Sequence, residues 1–533
     1  MTNNNSKSLE SWIWDAACAI RGAQDAPKYK DFILPLIFVK RLCDVFDDEV
    51  SRVADNVGSK EKALKLIAKD RKLTRFYIPL QPENLDESTW SVIRKLSSKI
   101  GEQLTDFMRS IARENSRLQG IIDRIDFNAT THGQRDIEDD RLSNLIEEIS
   151  KKRLGLKDVE PDIIGRSYEY LIRKFAEGGG QSAGEFYTPM EVGLIMARIL
   201  DPEPGMEMYD PCTGSAGLLI KLQIALQEKM NLRSKTKYAP LKLYGQEYIA
   251  NTWAMANMNM VIHDMEGIIE IGDTMNNPKF RESVPSGRKG NNPDKAGTGL
   301  KKFDRVAANP MWNQSLFNQK TYENDELERF PAGYPPNGTA DWGWVQHILA
   351  SLNDSAGGGG RAAIVLDTGA VSRGSGNQST NKEKEIRKWF VENDFIEGVL
   401  YLPENLFYNT SAPGIVLFLN RNKSTGKKDK ILLINASKDF IKGQPKNYIP
   451  EENQNKIVDT FLNWKVTDKF SKIISKEDSA KNDYNLSPTR YIHTADEEVY
   501  RPIGEILEEL KELDQESKDI DGELKTIFQK LGY

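Results

Sequence analysis

The sequence predicts an α/β protein in which a doubly wound sheet lies between an α-helical amino-terminal domain and a long carboxy-terminal helix. Strand signals are nearly absent up to about residue 155, whereas four apolar strands between residues 206 and 309 each end in a polar residue, with helices between them. That alternation is typical of doubly wound sheets. From residue 503 onward the apolar residues follow a heptad pattern, which is typical of coiled coils. We therefore expect a helical domain at residues 1–155, a sheet domain at 156–440, a connector at 441–494 and a coiled-coil helix at 495–533.

Length and composition indicate an ordinary globular protein. The chain has 533 residues, of which 39% are hydrophobic and 29% are charged. No stretch approaches the roughly 18 uninterrupted apolar residues of a membrane span, and residues 1–6 lack the segments of a signal peptide, so we expect a cytoplasmic protein. The net charge of −6 argues against nonspecific nucleic-acid binding through overall positive charge. Three scattered cysteines are too few for a disulfide framework or a metal cluster, so we expect no metal.

The amino-terminal region shows helical patterns. Its first apolar residues fall on one helical face: Leu9, Trp12, Ile13, Ala16 and Ile20. Further helices are predicted over Phe32–Phe46, Trp90–Ile111 and Arg141–Ile149, with a loop over Pro79–Ser88. No chemistry is visible in this region, so we interpret it as a bundle that packs against something else.

Polar side chains stand at the carboxyl ends of the four predicted strands. They are Asp210, Glu247 at the end of Leu241–Glu247, Asp273 after Ile268–Gly272, and Asn309 after Val306–Ala308. Doubly wound sheets bind their ligands at this edge, where a carboxylate such as Glu247 can accept from both hydroxyls of a ribose. Asp273 is placed to accept from an adenine amino group. The alternative for these carboxylates is a helix cap, and it stays open for Asp273 in particular.

Two further segments favour a ligand site beside these strand ends. After Asp210, the small-residue loop Pro211–Gly217 leads into a predicted helix over Leu218–Lys229, so the backbone can approach a ligand at a helix amino terminus. The loop is not a phosphate loop, since no Gly-Lys-Ser/Thr follows, and it lacks the dinucleotide fingerprint. Upstream, Gly184–Pro189 precedes a predicted helix over Met190–Leu200, and Thr188 is placed to cap that helix.

The tetrapeptide Asn309-Pro310-Met311-Trp312 is suited to holding a planar amine. The Asn309 carboxamide and the carbonyl preceding or within Pro310 can accept from an exocyclic amino group. The Trp312 ring can stack on the ring that carries this group. The alternative is an Asn-Pro turn followed by a core tryptophan.

Together these motifs resemble the amino-methyltransferases that act on adenine in DNA with S-adenosyl-L-methionine. The matching stretches are Glu-Phe-Tyr-Thr-Pro at 185–189, Asp-Pro-Cys-Thr-Gly-Ser-Ala-Gly at 210–217, Gly-Gln-Glu at 245–247 and Asn-Pro-Met-Trp at 309–312. More narrowly, the chain resembles the modification (M, HsdM-like) subunit of type I restriction-modification systems. Support comes from residues 340–349, 360–366 and 402–410. One departure is Met311, where the family usually has a second proline, so this loop is less rigid.

The resemblance implies a Rossmann-like S-adenosylmethionine-dependent methyltransferase sheet and a set of residue roles. Cofactor binding would involve Glu185, Phe186, Tyr187, Thr188, Pro189, Met190, Asp210, Thr213, Gly214, Ser215, Ala216, Gly217, Glu247 and Asp273. Within that set, residues 210–217 would hold the methionine part, Glu247 the ribose and Asp273 the adenine, while residues 185–190 would close over the cofactor. The catalytic residues would be Asn309, Pro310 and Trp312, acting on an adenine flipped out of the duplex. Methyl transfer would then be direct, through orientation and electrostatic support.

Cys212 suggests a different chemistry, because a Pro-Cys pair carries the nucleophile of cytosine-5 methyltransferases. Here the cysteine lies inside the predicted cofactor loop rather than after a later strand. We therefore expect Cys212 to be a small packed residue.

The carboxy-terminal helix predicts a partner. Its heptad positions are Ile506, Leu510, Leu513, Ser517, Ile520, Leu524, Ile527 and Leu531, with only the serine interrupting the apolar seam. Between the expected end of the sheet near Asn435 and this helix, no sizeable domain looks able to read a DNA sequence. The resemblance implies a separate specificity (S) subunit bound through this helix, a complex of this subunit with two M copies on double-stranded DNA, and a restriction (R) subunit for any cleavage. Two alternatives remain open: an inactive scaffold, and a methyltransferase for RNA or a protein amide.

Overall fold

The structure is a computed structural model. It covers residues 9–18, 30–159, 161–178, 187–232, 237–282, 299–315, 319–376, 381–408, 410–494 and 503–531. The chain divides into two units, residues 1–492 and residues 493–533. None of the described helices has the length and apolar character that a membrane span requires.

The amino-terminal region is helical. Its helices are α1 (Leu9–Cys18), α2 (Lys30–Val57), α3 (Lys60–Lys69), α4 (Ser91–Arg94), α5 (Ile100–Glu114), α6 (Asp139–Ser150) and α7 (Pro161–Gly178), with a two-stranded ribbon of β1 (Thr130–Thr131) and β2 (Gln134–Arg135). The prediction of one helix over Trp90–Ile111 is wrong. The chain leaves the helix after α4 and re-enters it only after Lys99, whose φ of 46° is left-handed and cannot continue an α-helix.

The second part of this unit is built on a nine-stranded sheet within the described residues. The strands are β3 (Glu207–Asp210), β4 (Lys242–Glu247), β5 (Gly267–Ile271), β6 (Arg305–Ala308), β7 (Arg361–Asp367), β8 (Ile396–Tyr401), β9 (Gly414–Asn420), β10 (Lys430–Asn435) and β11 (Ser471–Ser475). Their order across the sheet is β11-β10-β8-β9-β7-β6-β3-β4-β5. β9 and β11 run antiparallel to their neighbours, and the remaining pairs are parallel.

The four predicted strands form one parallel half of this sheet, in the order β6-β3-β4-β5. From β3 the chain winds outward through β4 and β5, then returns to place β6 on the other side of β3. The pair β3 and β6 is therefore the topological switch point, where parallel sheets open a crevice at their carboxyl ends. Asp210 and Asn309 stand on the two sides of that crevice.

Helices cover both faces of the sheet. They are α8 (Met190–Leu200), α9 (Gly217–Leu232), α10 (Ala250–Ile262), α11 (Gln319–Glu323), α12 (Asp341–Ala350), α13 (Lys382–Glu392), α14 (Glu451–Leu462), α15 (Lys476–Lys481) and α16 (Pro488–Tyr491). α10 joins the two parts of the unit, because Met255, Met258 and Ile262 belong to the core of the helical region while Met260 packs into the core under the sheet.

The expectation that the sheet ends near Asn435 is wrong. β11 pairs antiparallel with β10 from Lys430↔Ser475 to Ile434↔Ser471 and forms the edge of the sheet. Ile457 and Phe461 of α14 are buried in the core on one face. Residues 441–494 therefore contribute both a strand and covering helices to the sheet.

The described residues of the second unit, 493–494 and 503–531, contain one helix, α17 (Ile503–Leu531), of 29 residues. Its apolar side chains are exposed, with Leu510 at 56% and Ile520 at 53%. The single long helix agrees with the heptad pattern. Its coiled-coil pairing stays a prediction.

Candidate active site at the carboxyl edge of the sheet

The loop between β3 and α9 forms the floor of the candidate site. Gly214 and Ala216 both have left-handed φ angles, of 55° and 65°, so the chain turns sharply before α9 begins at Gly217. Thr213 fixes the loop: its N–H donates to the Gln246 carbonyl at 3.0 Å and its hydroxyl donates to the Asp210 carbonyl at 2.9 Å. The sharp turn leads directly into the amino terminus of α9, and a helix amino terminus favours a negatively charged ligand group.

Gly245 on β4 lets this loop approach the sheet. A Cβ added at Gly245 would overlap the Thr213 hydroxyl. The close approach of loop and strand therefore depends on a residue without a side chain.

Glu247 ties β4 to the same loop. One carboxylate oxygen accepts from the Gly214 N–H at 2.9 Å and the other accepts from the Ile249 N–H at 2.9 Å. Its side chain is buried, with 9% exposed, at the carboxyl end of its strand as predicted. A carboxylate held by backbone donors on both oxygens is fixed in place at the end of its strand.

Asp210 is a buried carboxylate in an acidic surrounding. Burial raises the pKa of Asp210 to about 7, and the nearby negative charge of Glu247 adds to the increase, while the Cys212 N–H donates to it at 3.0 Å and opposes the increase. Two buried carboxylates on adjacent strands favour a cationic ligand, because a nearby positive charge stabilises their ionised forms.

Asp273 caps a turn after β5. One of its oxygens accepts from the N–H groups of Met275 and Asn276, at 2.9 and 3.0 Å, and the other accepts from the Asn276 amide at 2.7 Å. No helix follows Asp273 in the described residues up to 282, so it holds a turn there and not the helix that the alternative required. Thr274 joins this turn to the loop at 211–216, which we call the floor loop, since the Thr274 hydroxyl donates to the Pro211 carbonyl at 2.6 Å.

Asn309, at the end of β6, has a carboxamide with two different environments. Its Nδ2 donates to the Thr188 hydroxyl at 3.0 Å. Its Oδ1 is buried, and Asn309 as a whole is only 8% exposed. This Oδ1 has no hydrogen-bond partner among the described residues. Buried polar atoms are almost always paired, so an unpaired acceptor in a crevice marks the place of a ligand donor.

Thr188 does not have the local role predicted for it. The residue before α8 is Pro189, no side chain caps that helix, and Thr188 instead accepts from Asn309. Thr188 thus joins the segment before α8 to the end of β6. Tyr187 packs against Tyr408 with ring centroids 6.0 Å apart, Pro189 is buried and Met190 is 45% exposed. Glu185 and Phe186 lie outside the described residues.

Trp312, four residues after the end of β6, is partly buried and packs against the core on one face of the sheet. It contacts Phe407 edge to face, with centroids 4.8 Å apart and planes at 71°. Gly414 leaves room for this pair, since an added Cβ would lie 2.8 Å from the Phe407 ring and 3.0 Å from the Trp312 ring. Pro310 is buried and Met311 is 37% exposed.

Sequence reasoning missed the residues that hold Asn313, which directly follows the tetrapeptide at 309–312. The Asn313 N–H donates to Asp341 at 3.1 Å, and Arg373 donates to the Asn313 side-chain oxygen at 3.1 Å. Arg373 also pairs with Asp341, and with Asp367 and Glu383 at 2.7 Å each. Asp341 lies in one of the supporting stretches, but no local pattern marks Arg373, because its partners come from separate elements.

Cys212 lies beside the carboxylates rather than in a nucleophilic setting. Burial raises the pKa of its thiol well above the ordinary value, and the charges of Asp210 and Glu247 raise it further. The thiolate is therefore disfavoured, and a thiolate is the form that attacks in nucleophilic catalysis.

The comparisons with known proteins agree with this geometry. The N-6 DNA methylase family model matches residues 159–499, and the HsdM N-terminal domain model matches residues 9–149. The MjaVII methylase subunit of a type I restriction enzyme from Methanocaldococcus jannaschii is 32% identical over 90% of this chain and 77% of its own length. The MjaVIII methylase subunit from the same organism is 37% identical over 67% of this chain and 58% of its own length.

A solved structure shows the same architecture. The type I restriction-modification methyltransferase subunit from Streptococcus thermophilus superposes with a TM-score of 0.72 at 26% identity, over 91% of this chain and 99% of that one. The chain therefore belongs to the N-6 DNA methylase family, among the methylase subunits of type I restriction enzymes. As such it is an adenine-N6 DNA methyltransferase that uses S-adenosyl-L-methionine.

Proposed function

We propose that this chain methylates N6 of an adenine flipped out of double-stranded DNA in the cytoplasm, at sites chosen by a separate specificity (S) subunit. The observation that carries the residue-level proposal is the buried, unpartnered Oδ1 of Asn309 beside an Nδ2 that is already held by Thr188. An amide held in this way offers an acceptor toward the crevice. The N6 amino group of adenine is a donor that matches it.

Base flipping follows from the position of the acceptor. In a duplex the N6 amino group is paired within the stack, so it reaches Oδ1 of Asn309 only after the nucleotide leaves the helix. The Trp312 ring stacks on the flipped base, and the carbonyl at Pro310 accepts the second N6 hydrogen. Both contacts replace part of the stacking and pairing that flipping removes.

Catalysis is then orientation with electrostatic support. S-adenosyl-L-methionine supplies an electrophilic methyl group on a sulfonium sulfur. As the N6 nitrogen bonds to the methyl carbon, the carbon–sulfur bond breaks and its electron pair stays on sulfur, so the nitrogen gains positive charge until it releases one N–H proton to water. The oxygen acceptors of Asn309 and Pro310 stabilise that charge. They also direct the nitrogen lone pair at the methyl group, which lowers the entropic part of the barrier.

The other side of the crevice fits the cofactor. Asp210 and the loop from Thr213 to Gly217 hold its methionine end, because the buried carboxylate and the amino terminus of α9 lie there together. Glu247 accepts from the ribose hydroxyls, and Asp273 holds the adenine with the lone pairs that its turn leaves available. The segment 185–190 closes over the cofactor. No nucleophilic residue is needed in this direct transfer.

The exposed apolar face of the second unit supports the proposed partner subunits. The helix α17 presents an apolar face, and we assign to it the contact with the S subunit, in a complex with two copies of this chain. We propose four regions: a helical domain at 1–155, a catalytic domain at 156–440, a segment at 441–494 that completes the sheet, and a helix at 495–533 for the partner subunit. A restriction (R) subunit would supply any cleavage.

The test measures transfer of labelled methyl from S-adenosyl-L-methionine to duplex DNA, with and without the S chain. We expect label on adenine only with the S chain, and a loss of about 100-fold or more in turnover for Asn309→Ala with cofactor affinity unchanged. Asn393→Ala, at an exposed asparagine that ends α13, is the matched control. Cofactor binding without transfer to DNA would favour the inactive scaffold. Label on RNA or protein would favour a methyltransferase for RNA or a protein amide.

A further inference from the structure

A short hairpin stands near residues 309–313, which we call the proposed catalytic loop, and has no role in the proposed chemistry. After β10 the chain turns back on itself, and Ile441 and Tyr448 pair through N–H to carbonyl hydrogen bonds of 2.9 and 3.2 Å. We call residues 438–448 the basic hairpin, after Lys438, Lys442 and Lys446. β10 runs parallel to β8, and the pairs of β6 with β7 and β3 are also parallel.

The position of the basic hairpin at the active-site edge follows from strand direction. β9 runs antiparallel to both β7 and β8, so β8 and β10 point the same way as β6. The basic hairpin therefore leaves the sheet at the edge where β6 presents Asn309. It is located on the side of the crevice opposite to Glu247 and the proposed cofactor site.

The basic hairpin is fastened to the loop that contacts Trp312. The Lys446 ammonium donates to the Asn405 side chain at 3.1 Å and to the Thr410 carbonyl at 3.0 Å. The Asn447 N–H and side-chain amide donate to the carbonyls of Asn405 and Glu404, each at 3.0 Å. Phe407 of the same loop packs on Trp312, so one loop fixes the hairpin relative to the target-base pocket.

The outer surface of the basic hairpin combines positive charge with apolar side chains. Lys438 and Lys442 are exposed, and neither forms an ion pair within the described part of the chain. Ile441 is 45% exposed and Tyr448 is 46% exposed. The acidic residue of the stem, Asp439, is neutralised by Lys456 at 2.6 Å. Lysines contact phosphates, and tyrosine contributes further contacts to phosphate and sugar.

We propose that the basic hairpin binds the sugar-phosphate backbone of duplex DNA beside the flipped adenine. Lys438 and Lys442 contact phosphates, and Tyr448 packs on the adjoining sugar. The proposal rests on the proposed target site at Asn309, because a duplex that delivers its base there must cross this edge. A B-DNA major groove is about 12 Å wide, so the duplex extends beyond the single loop around Trp312 and over its neighbours.

The experiment uses the full chain with its S chain and a fluorescent duplex that carries the methylation site. DNA affinity is measured from about 50 to 200 mM salt, where each phosphate contact contributes about 0.9 to the slope of log affinity against log salt. We expect the double variant Lys438→Gln, Lys442→Gln to reduce the slope by about 1.8. Tyr448→Ala should weaken binding without changing the slope, because it removes no charge.

A matched control makes the same charge change elsewhere. Lys428→Gln, Lys430→Gln alters two exposed lysines at the start of β10, on the opposite edge of the sheet, and should leave the slope unchanged. Equal slopes for the basic-hairpin and control variants would overturn the proposal. So would loss of assembly with the S chain at an unchanged slope, since the surface would then face protein.

Failure of the proposed active site gives a different result. Asn309→Ala should lose methyl transfer and keep the wild-type salt slope. If the wild-type complex binds the duplex but methylates no adenine, the proposed function fails while the slope still tests the basic hairpin.

Discussion

The Nδ2 atom of Asn309 donates to the Thr188 hydroxyl at 3.0 Å, which leaves the buried Oδ1 of the same amide as the only end without a partner in the described structure. A carboxamide has a donor end and an acceptor end of nearly equal size, so only its hydrogen bonds decide which end faces a ligand. The hydrogen bond to Thr188 fixes the amide with its oxygen toward the proposed ligand. It therefore links the segment proposed to cover the cofactor to the strand end proposed to hold the base.

Thr188→Val removes the hydroxyl and preserves the shape of the side chain. The Asn309 amide is then able to turn, and its NH2 group would oppose the N6 amino group. We expect the single-turnover transfer rate to fall about tenfold, in line with one hydrogen bond of about 0.5–1.5 kcal/mol, and Thr188→Ser to restore it. The valine effect should shrink in an Asn309→Asp background, because both carboxylate oxygens accept. A weaker cofactor affinity with an unchanged rate at saturation would instead assign Thr188 to the cofactor.

Cofactor affinity should rise with pH through about 7, the pKa to which burial raises Asp210. The ionised carboxylate attracts a cationic ligand, so binding shifts the equilibrium toward ionisation and releases a proton. In the cofactor-free protein the sign is opposite: because the folded pKa is raised, the stabilisation is full below the unfolded value of about 3.9 and is lost as pH rises through about 7. Calorimetry in two buffers of different ionisation enthalpy counts the proton. An Asp210→Asn variant that keeps the pH dependence would contradict the assignment.

Gly245→Ala should weaken cofactor binding, because the new Cβ overlaps the Thr213 hydroxyl and must displace the floor loop. We expect about 1–3 kcal/mol of lost stability, as for other overpacked sites, together with a reduced cofactor affinity. Thermal unfolding and equilibrium cofactor binding measure the two effects. Gly338→Ala is the control, since an added Cβ there meets nothing within 4 Å. Equal unfolding temperatures and equal cofactor affinities of the two variants would show that the floor loop moves aside without a loss of free energy.

Arg373→Ala should destabilise the chain and loosen the proposed catalytic loop. Asp341 and Glu383 are almost completely buried, so removal of their shared cation leaves uncompensated charge and costs roughly 3–5 kcal/mol. Urea unfolding measures the loss. The ion pair of Arg198 with the exposed Glu228 serves as control, and Arg198→Ala should cost about 1 kcal/mol or less. If Arg373→Ala unfolds like the control, the cluster does not anchor Asn313.

Features set by residues that are adjacent in the chain were predictable from the sequence, whereas features set by contacts between distant residues were not. The strand ends at Asp210, Glu247 and Asn309 were predictable because an apolar run, a polar residue and the next helix are adjacent in the chain. The break before α5 was missed, since the apolar periodicity continues across the left-handed Lys99. β11 was missed because an edge strand is defined by its pairing with β10 rather than by its own residues.

The sequence by itself determined which elements form and which polar residues end the strands, because local propensity and hydrophobic periodicity specify both. Only the tertiary structure decided which side chains meet. Thr188 and Asn309 are 121 positions apart, and Arg373 draws its partners from three elements. The orientation of the Asn309 amide is therefore a property of the fold, since hydrogen bonds between distant segments exist only after the sheet has brought those segments together.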